Sequence, residues 1–213
     1  MREYSIENFG LFKRPLIFME SKMKSTQIKI QEEKSVSNMT TPVSMERILI
    51  IGCGGAGKST LSKQLGDAMN LPVYHLDKLW WKPGWVEESV EHFDAELAKI
   101  LKQKQWIIDG NYNRTLPERL KYADAVIFLD YSSWLCLFRA LKRIFRWRGQ
   151  VRPDMGTGCP ERLDLEFLRY IWTYNRDMRP RTEASLSAFS GPVIRLTHPC
   201  SLEEIRNLLN LPH

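Results

Sequence analysis

Residues 47–60 constrain the fold more tightly than any other stretch. Arg47-Ile48-Leu49-Ile50-Ile51 is a short, isoleucine-rich apolar run that reads as a strand buried on both faces. Gly52-Cys53-Gly54-Gly55-Ala56-Gly57-Lys58-Ser59-Thr60 follows, with the spacing G-x-x-x-x-G-K-[ST]. Behind it Leu61, Leu65, Ala68 and Met69 recur at helical spacing. Strand, glycine loop and helix in that order turn backbone N–H groups toward an anion and add the positive end of a helix dipole. The glycines leave room for the backbone to wrap a phosphate. In such a P-loop, Lys58 reaches the β- and γ-phosphates and the Ser59 hydroxyl holds Mg²⁺. The competing reading is a plain glycine turn before a helix. A chain this long matches the bare pattern by chance roughly one time in a hundred, and the flanking strand and helix lower that further. Gly52, Cys53, Gly54, Gly55, Ala56, Gly57, Lys58, Ser59 and Thr60 are therefore the candidate nucleotide-binding residues, with ATP and Mg²⁺ as the implied ligands. Cys53, inside the loop, reads as a small tolerated side chain.

Downstream, strand and helix patterns alternate. Residues 71–76 read as a second strand ending near Asp77, and residues 77–85 as a loop with three tryptophans, Trp80, Trp81 and Trp85. Residues 88–104 are amphipathic, with Phe93, Leu97, Ile100 and Leu101 on one face. Residues 105–110 and 125–130 are strands ending in Asp109 and Asp130, with a short helix at 117–122 between them. Helices are expected at 133–147 and 160–179, a Gly/Pro-rich loop at 148–159 and a last strand at 192–197. Ser201 and Glu204 form a capping box for a final helix through 209. Five apolar strands alternating with helices imply an α/β fold, a parallel sheet covered on both faces. Ligands of such sheets bind at the carboxyl ends of the strands, which puts the glycine loop, Asp77, Asp109 and Asp130 along one edge.

Residues 1–44 differ from this pattern. An aromatic-rich patch at 9–18 is interrupted by Lys13, Arg14 and Pro15, too broken for a signal peptide. Residues 21–44 are polar with little to bury. The segment is expected to be an extension, disordered or loosely helical, or the product of a start placed ahead of Met45. Residues 45–213 form the domain proper, with 146–163 as a lid.

Apolar content of 43% and charge of 26% suit a water-soluble globular chain, and no apolar run approaches a membrane span. Cys53, Cys136, Cys159 and Cys200 form no C-x-x-C pair, which excludes a zinc or disulfide framework and suits a reducing cytoplasm. Of the net charge of +6, residues 139–181 account for all: eleven Lys and Arg against five Asp and Glu. A basic segment beside a phosphate loop points to polyanion handling, either nucleotide phosphates or nucleic acid. A solvated basic helix face is the plainer reading for any single arginine.

Phosphoryl transfer needs positioning and charge neutralisation more than covalent chemistry. Asp109, delivered by an apolar strand, is a candidate second metal ligand beside Ser59, acting directly or through water. Asp77 is placed to orient or deprotonate an acceptor hydroxyl. Trp81 and Trp85, in a loop with Pro83 and Gly84, are candidates to stack on that acceptor. His75 reads as a structural hydrogen-bonding residue. Arg139 and Arg143, four apart, share a helix face and are candidates to stabilise transition-state charge, with Arg152 or Arg162 next. Lid closure would exclude water. The candidate catalytic set is thus Lys58, Asp77, Arg139 and Arg143. The reading is a Mg-ATP-dependent kinase acting on a small hydroxylated or nucleotide-like acceptor. Its competitors are a nucleotide-dependent nucleic-acid regulator using the basic lid, and a plain NTPase.

Over residues 45–211 the chain resembles the adenylate-kinase-like nucleotide kinases, and within them the bacterial FlaR-like topology modulation proteins. The closer likeness rests on 52–60, on His75-Leu76-Asp77-Lys78-Leu79-Trp80-Trp81-Lys82-Pro83-Gly84-Trp85, on Trp106-Ile107-Ile108-Asp109-Gly110-Asn111-Tyr112, and on 124–130 and 158–162. The resemblance implies a five-stranded parallel sheet of order 2-3-1-4-5 with a short lid. It also implies that Asp130, Arg139 and Arg143 keep the spacing at which adenylate kinases place lid arginines on ATP phosphates, and that Asp77 matches the acceptor-binding acid of shikimate-kinase-like relatives. The Trp81-Lys82-Pro83-Gly84-Trp85 loop stands where adenylate kinases carry the glycine-basic pattern that holds AMP, which argues against AMP as acceptor.

Overall fold

The computed structural model describes residues 45–208; the expectations for residues 1–44 and for the end of the last helix lie outside them. Five parallel strands form the central sheet: β1 (Arg47–Gly52), β2 (Val73–His75), β5 (Trp106–Asp109), β6 (Ala125–Leu129) and β7 (Val193–Leu196), in the order β2-β5-β1-β6-β7. Counted within that sheet alone, the order is 2-3-1-4-5. The register sets Ile50 of β1 beside Asp109 and Gly52 beside Leu129, while His75 of β2 also lies beside Asp109. The carboxyl ends therefore lie along one edge, those of β1, β6 and β7 two residues beyond those of β2 and β5.

Ile48, Leu49, Ile50 and Ile51 are all fully buried because both faces of β1 are covered. Ile48 and Ile50 face α1 (Lys58–Met69), α5 (Ser133–Trp147), α6 (Leu165–Asp177) and α8 (Leu202–Leu208), through Leu61, Leu65, Ala140, Ile171 and Ile205. Leu49 and Ile51 face the other layer, which holds α3 (Val90–Leu101), α4 (Leu116–Leu120) and α7 (Arg179–Leu186), through Phe93, Leu97, Leu116, Leu120 and Leu186. Each strand side chain points to the face opposite its neighbour's, so one four-residue run anchors two layers.

Side-chain caps start most of the longer helices. Ser89 accepts from the His92 N–H at the head of α3, Ser132 from Leu135 at α5, and Asp164 from Phe167 at α6. Ser201 and Glu204 make the expected reciprocal pair at α8. Each cap is worth about 1 kcal/mol. Among the described helices of twelve residues or more, only α1, which starts at Gly57, has no side-chain cap.

The structure corrects the sequence reading between residues 75 and 88. The second strand stops at His75, so Asp77 lies in the first turn of a short helix, α2 (Leu76–Trp80). The rest of the expected loop is a hairpin, β3 (Trp81–Lys82) paired antiparallel with β4 (Val86–Glu87). Gly84, at φ +81, and Trp85, at φ +63, make its turn. The helix expected from 160 begins only at Leu165, capped by Asp164, and α7 was not anticipated. Pro180 explains the break between α6 and α7, because proline is accepted only in the first turn of a new helix.

Candidate functional site

A cavity of about 750 Å³ opens at the carboxyl edge of the sheet. The glycine loop and the start of α1 form one end. Asp77, Trp81 and Trp85 line it, as do Arg139 and Arg143 of α5, Phe167 and Tyr170 of α6, and Arg152, Glu161 and Arg162 from the segment between those helices. Residues 54–60, Asp77, both tryptophans and both helix arginines, which lie far apart in sequence, thus line one space.

The loop is built by main-chain geometry. Gly55 and Gly57 have φ of +79 and +102, in the left-handed region that favours glycine. A Cβ on Gly55 would overlap the Cys136 carbonyl oxygen, because α5 packs directly on the loop. The Lys58 ammonium donates to the carbonyls of Gly52 (3.1 Å) and Cys53 (3.0 Å), folding its stem back across the loop. Arg139 donates to the Ala56 carbonyl (3.1 Å) and lies over the Tyr131 ring. Two cations and the uncapped start of α1 therefore converge on this end, and this donor set fits a polyphosphate. The Cys53 thiol is buried and packs near Ile171. A hydrogen bond with the Cys136 thiol and burial push its pKa well up, which keeps it protonated and inert.

Asp77 faces the same cavity, and the Tyr112 hydroxyl donates to its Oδ1 at 2.9 Å. Burial, followed by the Asp77 charge, drives the Tyr112 pKa far up, so the phenol stays a donor. That bond fixes one carboxylate oxygen and leaves the other to be used. The three tryptophans divide. Trp80 packs edge-on to Phe93 and Tyr112 as part of the core, whereas Trp81 and Trp85 meet each other edge-to-face at 5.5 Å on the cavity wall.

That wall is stitched to the segment expected to form the lid. The Gly84 N–H donates to the Gly158 carbonyl (2.8 Å), Trp85 Nε1 to the Pro160 carbonyl (2.9 Å), and the Cys159 thiol to the Lys82 carbonyl (3.0 Å). Arg162 lies over the Trp85 ring. Behind the seam, Glu161 is buried and pairs with both Arg143 (3.0 Å) and Arg152, whose Nε lies 2.6 Å from Glu161 Oε2 without the alignment of a hydrogen bond. Asp154 takes a second Arg152 nitrogen at 2.8 Å. Arg143 also lies over the Phe167 ring, and its pKa is lowered, by burial first and the nearby Arg152 charge second.

Two strand-end acids are turned elsewhere. Asp109, 3% exposed, accepts from Ser62 Oγ (2.5 Å) and pairs with His75 Nδ1 (2.7 Å). The structure places Asp109 beside α1, one turn past Ser59, and off the cavity wall. Asp130 is held by Arg179 (2.8 Å) and Arg195 (3.2 Å), also off the cavity wall. Among the described residues no group of three or more His, Cys, Asp or Glu side chains could hold a metal alone. Mg²⁺ does not need such a cage, since it takes one or two protein oxygens and otherwise water and phosphate.

Sequence reasoning missed Tyr112, Tyr131, Glu161 and the fully buried Arg119. Arg119 donates to the carbonyls of Gly110 (3.0 Å) and Tyr112 (2.9 Å), holding the loop that carries Tyr112, and burial lowers its pKa to about 9. A tyrosine three residues beyond Asp109 was visible in the chain; its bond to Asp77 was not, because the contact spans 35 residues.

No family model and no curated protein matches the chain. Solved structures do match in fold. Shikimate kinase from Bacteroides thetaiotaomicron is 18% identical with a TM-score of 0.50, over 79% of this chain and 100% of that one. Deoxyadenosine kinase from M. mycoides with bound dATP is 18% identical with a TM-score of 0.48, over 76% and 98%. A gluconokinase from Sinorhizobium meliloti 1021 is 15% identical with a TM-score of 0.43, over 78% and 89%. The first defines the class of fold: the chain has the α/β architecture of the P-loop kinases, a five-stranded parallel sheet flanked by helices.

Proposed function

We propose that this chain is a Mg-ATP-dependent phosphotransferase that acts on a small hydroxylated acceptor. One observation carries the reading: a single cavity holds a phosphate cradle at one end and a fixed carboxylate, Asp77, in its wall. The fold and the motif at 52–60 support it. On its residues 75–85 and 106–112 we set the chain with the adenylate-kinase-like enzymes, nearest the topology modulation proteins, and take 146–163 as its lid.

The N–H groups of residues 54–60 hold the phosphates, and Lys58 leaves its loop carbonyls for the β- and γ-oxygens. Bound Mg²⁺ would neutralise charge on those oxygens, held by Ser59 and, through water, by Asp109. Asp77, its Oδ1 fixed by Tyr112, uses Oδ2 to orient the acceptor hydroxyl and take its proton. Arg139 adds charge beside the loop, and Arg143 approaches from the lid side. Trp81 and Trp85 cover the acceptor and exclude water.

A nucleic-acid regulator using the basic segment is less well supported, because Arg143 and Arg152 turn inward onto Glu161 and Arg179 onto Asp130. The test is a phosphate-transfer screen with purified protein, Mg-ATP and panels of nucleosides, polyols and nucleotides. The expected result is ADP formation that requires one acceptor class. ADP release at the same rate with every acceptor and with none would replace the reading with a plain NTPase.

A further inference from the structure

The helices that wall the cavity carry an apolar surface with no partner among the described residues. On α5, Trp134 (69% exposed), Phe138 (66%) and Phe145 (78%) lie at positions i, i+4 and i+11, which is one face of a helix. On α6, Leu165 (74%) and Trp172 (49%) lie seven apart, again on one face. The Trp134 and Trp172 rings meet edge-to-face at 4.5 Å, which joins the two stripes into one surface two helices wide. Five of the nine most exposed large apolar residues among those described are therefore on two adjacent helices. The opposite sides of the same helices are well packed, with Cys136, Ala140, Ile171 and Tyr174 in the core.

We propose that this face is the contact with a second copy of this chain, α5 and α6 of one protomer against α5 and α6 of the other. Size carries the choice of occupant. An aromatic residue presents on the order of 150–250 Å², so these five side chains at their observed exposure offer roughly 700 Å². A stable interface takes about 800 Å² from each partner. A twofold pairing of this face nearly reaches that from its apolar centre alone, before the rim is counted. Isolated monomers rarely leave so large a connected patch open.

Charge is the opposing term. Lys142, Arg146 and Arg169 are exposed beside the stripes, and pairing brings like charges toward each other. They belong to the rim, where salt screens such repulsion beyond about 10 Å, and their aliphatic stems can cover apolar surface while the heads stay in water. The result is a definite sign: the dimer tightens as salt rises, whereas binding to an anionic surface through the same cations weakens.

The pairing has a bearing on the site. α5 carries Arg139 and Arg143, and α6 carries Phe167 and Tyr170, on the cavity side. A second copy holds both helices from behind.

The test is sedimentation velocity of the full chain across the micromolar range at low and high salt, with Phe138→Ser/Phe145→Ser as the variant. Both rings are exposed and neither touches the cavity, so circular dichroism should show the fold retained. Val90→Ser, which removes an exposed apolar side chain on α3, is the control. The expected result is a dimer for the parent and for Val90→Ser, tighter in high salt, with dissociation at least roughly a hundred-fold easier in the double variant. A parent that is monomeric throughout overturns the proposal. So does a dimer that the double variant leaves intact, which would place the contact elsewhere. A monomer that sediments with phosphatidylglycerol vesicles, or that binds oligo-dT, overturns it in favour of a lipid or nucleic-acid partner.

Discussion

The two walls of the cavity are made by different means. The end proposed for phosphate is backbone: one strand, four glycines and the start of one helix, contiguous over residues 47–60 and fixed by the sheet beneath. The end proposed for the acceptor is built from side chains and from contacts between distant segments. A hairpin at 81–87 is bonded to residues 158–160, and a buried carboxylate at 161 gathers arginines from 143 and 152. A polyphosphate is the same object in every ATP enzyme and can be met by main-chain N–H groups. An acceptor differs from enzyme to enzyme, and its wall has to be made from what differs.

That contrast can be broken, beginning with the largest effect. Asp77→Asn is expected to slow transfer by roughly 10²–10⁴ while leaving ATP affinity unchanged, read by single-turnover kinetics beside a nucleotide-binding titration. Equal loss in both would mean that the two walls do not act separately. Glu161→Ala leaves Arg143 and Arg152 buried without their shared anion and should cost about 3–5 kcal/mol in denaturant unfolding. Glu161→Gln, which keeps the shape, should lose less. Lys58→Ala is expected to lower turnover by roughly 10²–10³ with unfolding unchanged, the reverse of the Glu161 pattern. Trp85→Ala should weaken the acceptor by roughly 1 kcal/mol, seen as a raised KM for the acceptor with KM for ATP unaltered.

The smallest effect concerns both walls together. Burial raises the pKa of Tyr131, beside the phosphate loop, from 10 to about 12. It also raises Tyr112 behind Asp77, and Tyr170 and Tyr174 on α6, beyond their ordinary value. A raised pKa means that the folded state keeps a proton the unfolded state gives up. The associated stability is complete below pH 10 and falls as pH climbs toward 12. Arg119, lowered to about 9, and Arg143, also lowered by burial, work in the opposite direction, but they are two groups against four. The melting temperature should therefore drop above pH 10, together with the appearance of phenolate absorbance. Phenolate absorbance from more than three of the seven tyrosines while the protein is still folded would show those four to be open to water.

The legibility of the chain follows the same division. Residues 47–69 announced strand, loop and helix because each signal is local: β-branched residues, glycines, a helical apolar period. The parallel sheet and its shared carboxyl edge came with the alternation of strands and helices, and the strand order only with the resemblance to known nucleotide kinases. What sequence did not yield was partnership. Asp109 and Asp77 look alike as acids near strand ends, yet one is bonded to Ser62 and His75 and the other is aimed into the cavity by Tyr112. Trp80, Trp81 and Trp85 sit in one nonapeptide, and only packing against Phe93 separates the first from the other two. The hairpin looks like a loop in the sequence because two-residue strands are too short to show an alternating pattern.

The seam between the hairpin and residues 158–160 has a consequence for descent. Gly84, Trp85 and Lys82 are each bonded to a residue some seventy-five positions away. An insertion in either segment slides its donors past the acceptors of the other, so neither can lengthen or change shape by itself. For selection the two pieces are a single heritable unit divided by about a third of the chain. A lineage that took up a different acceptor would have had to alter both in step, and the segments should be found to vary together or not at all.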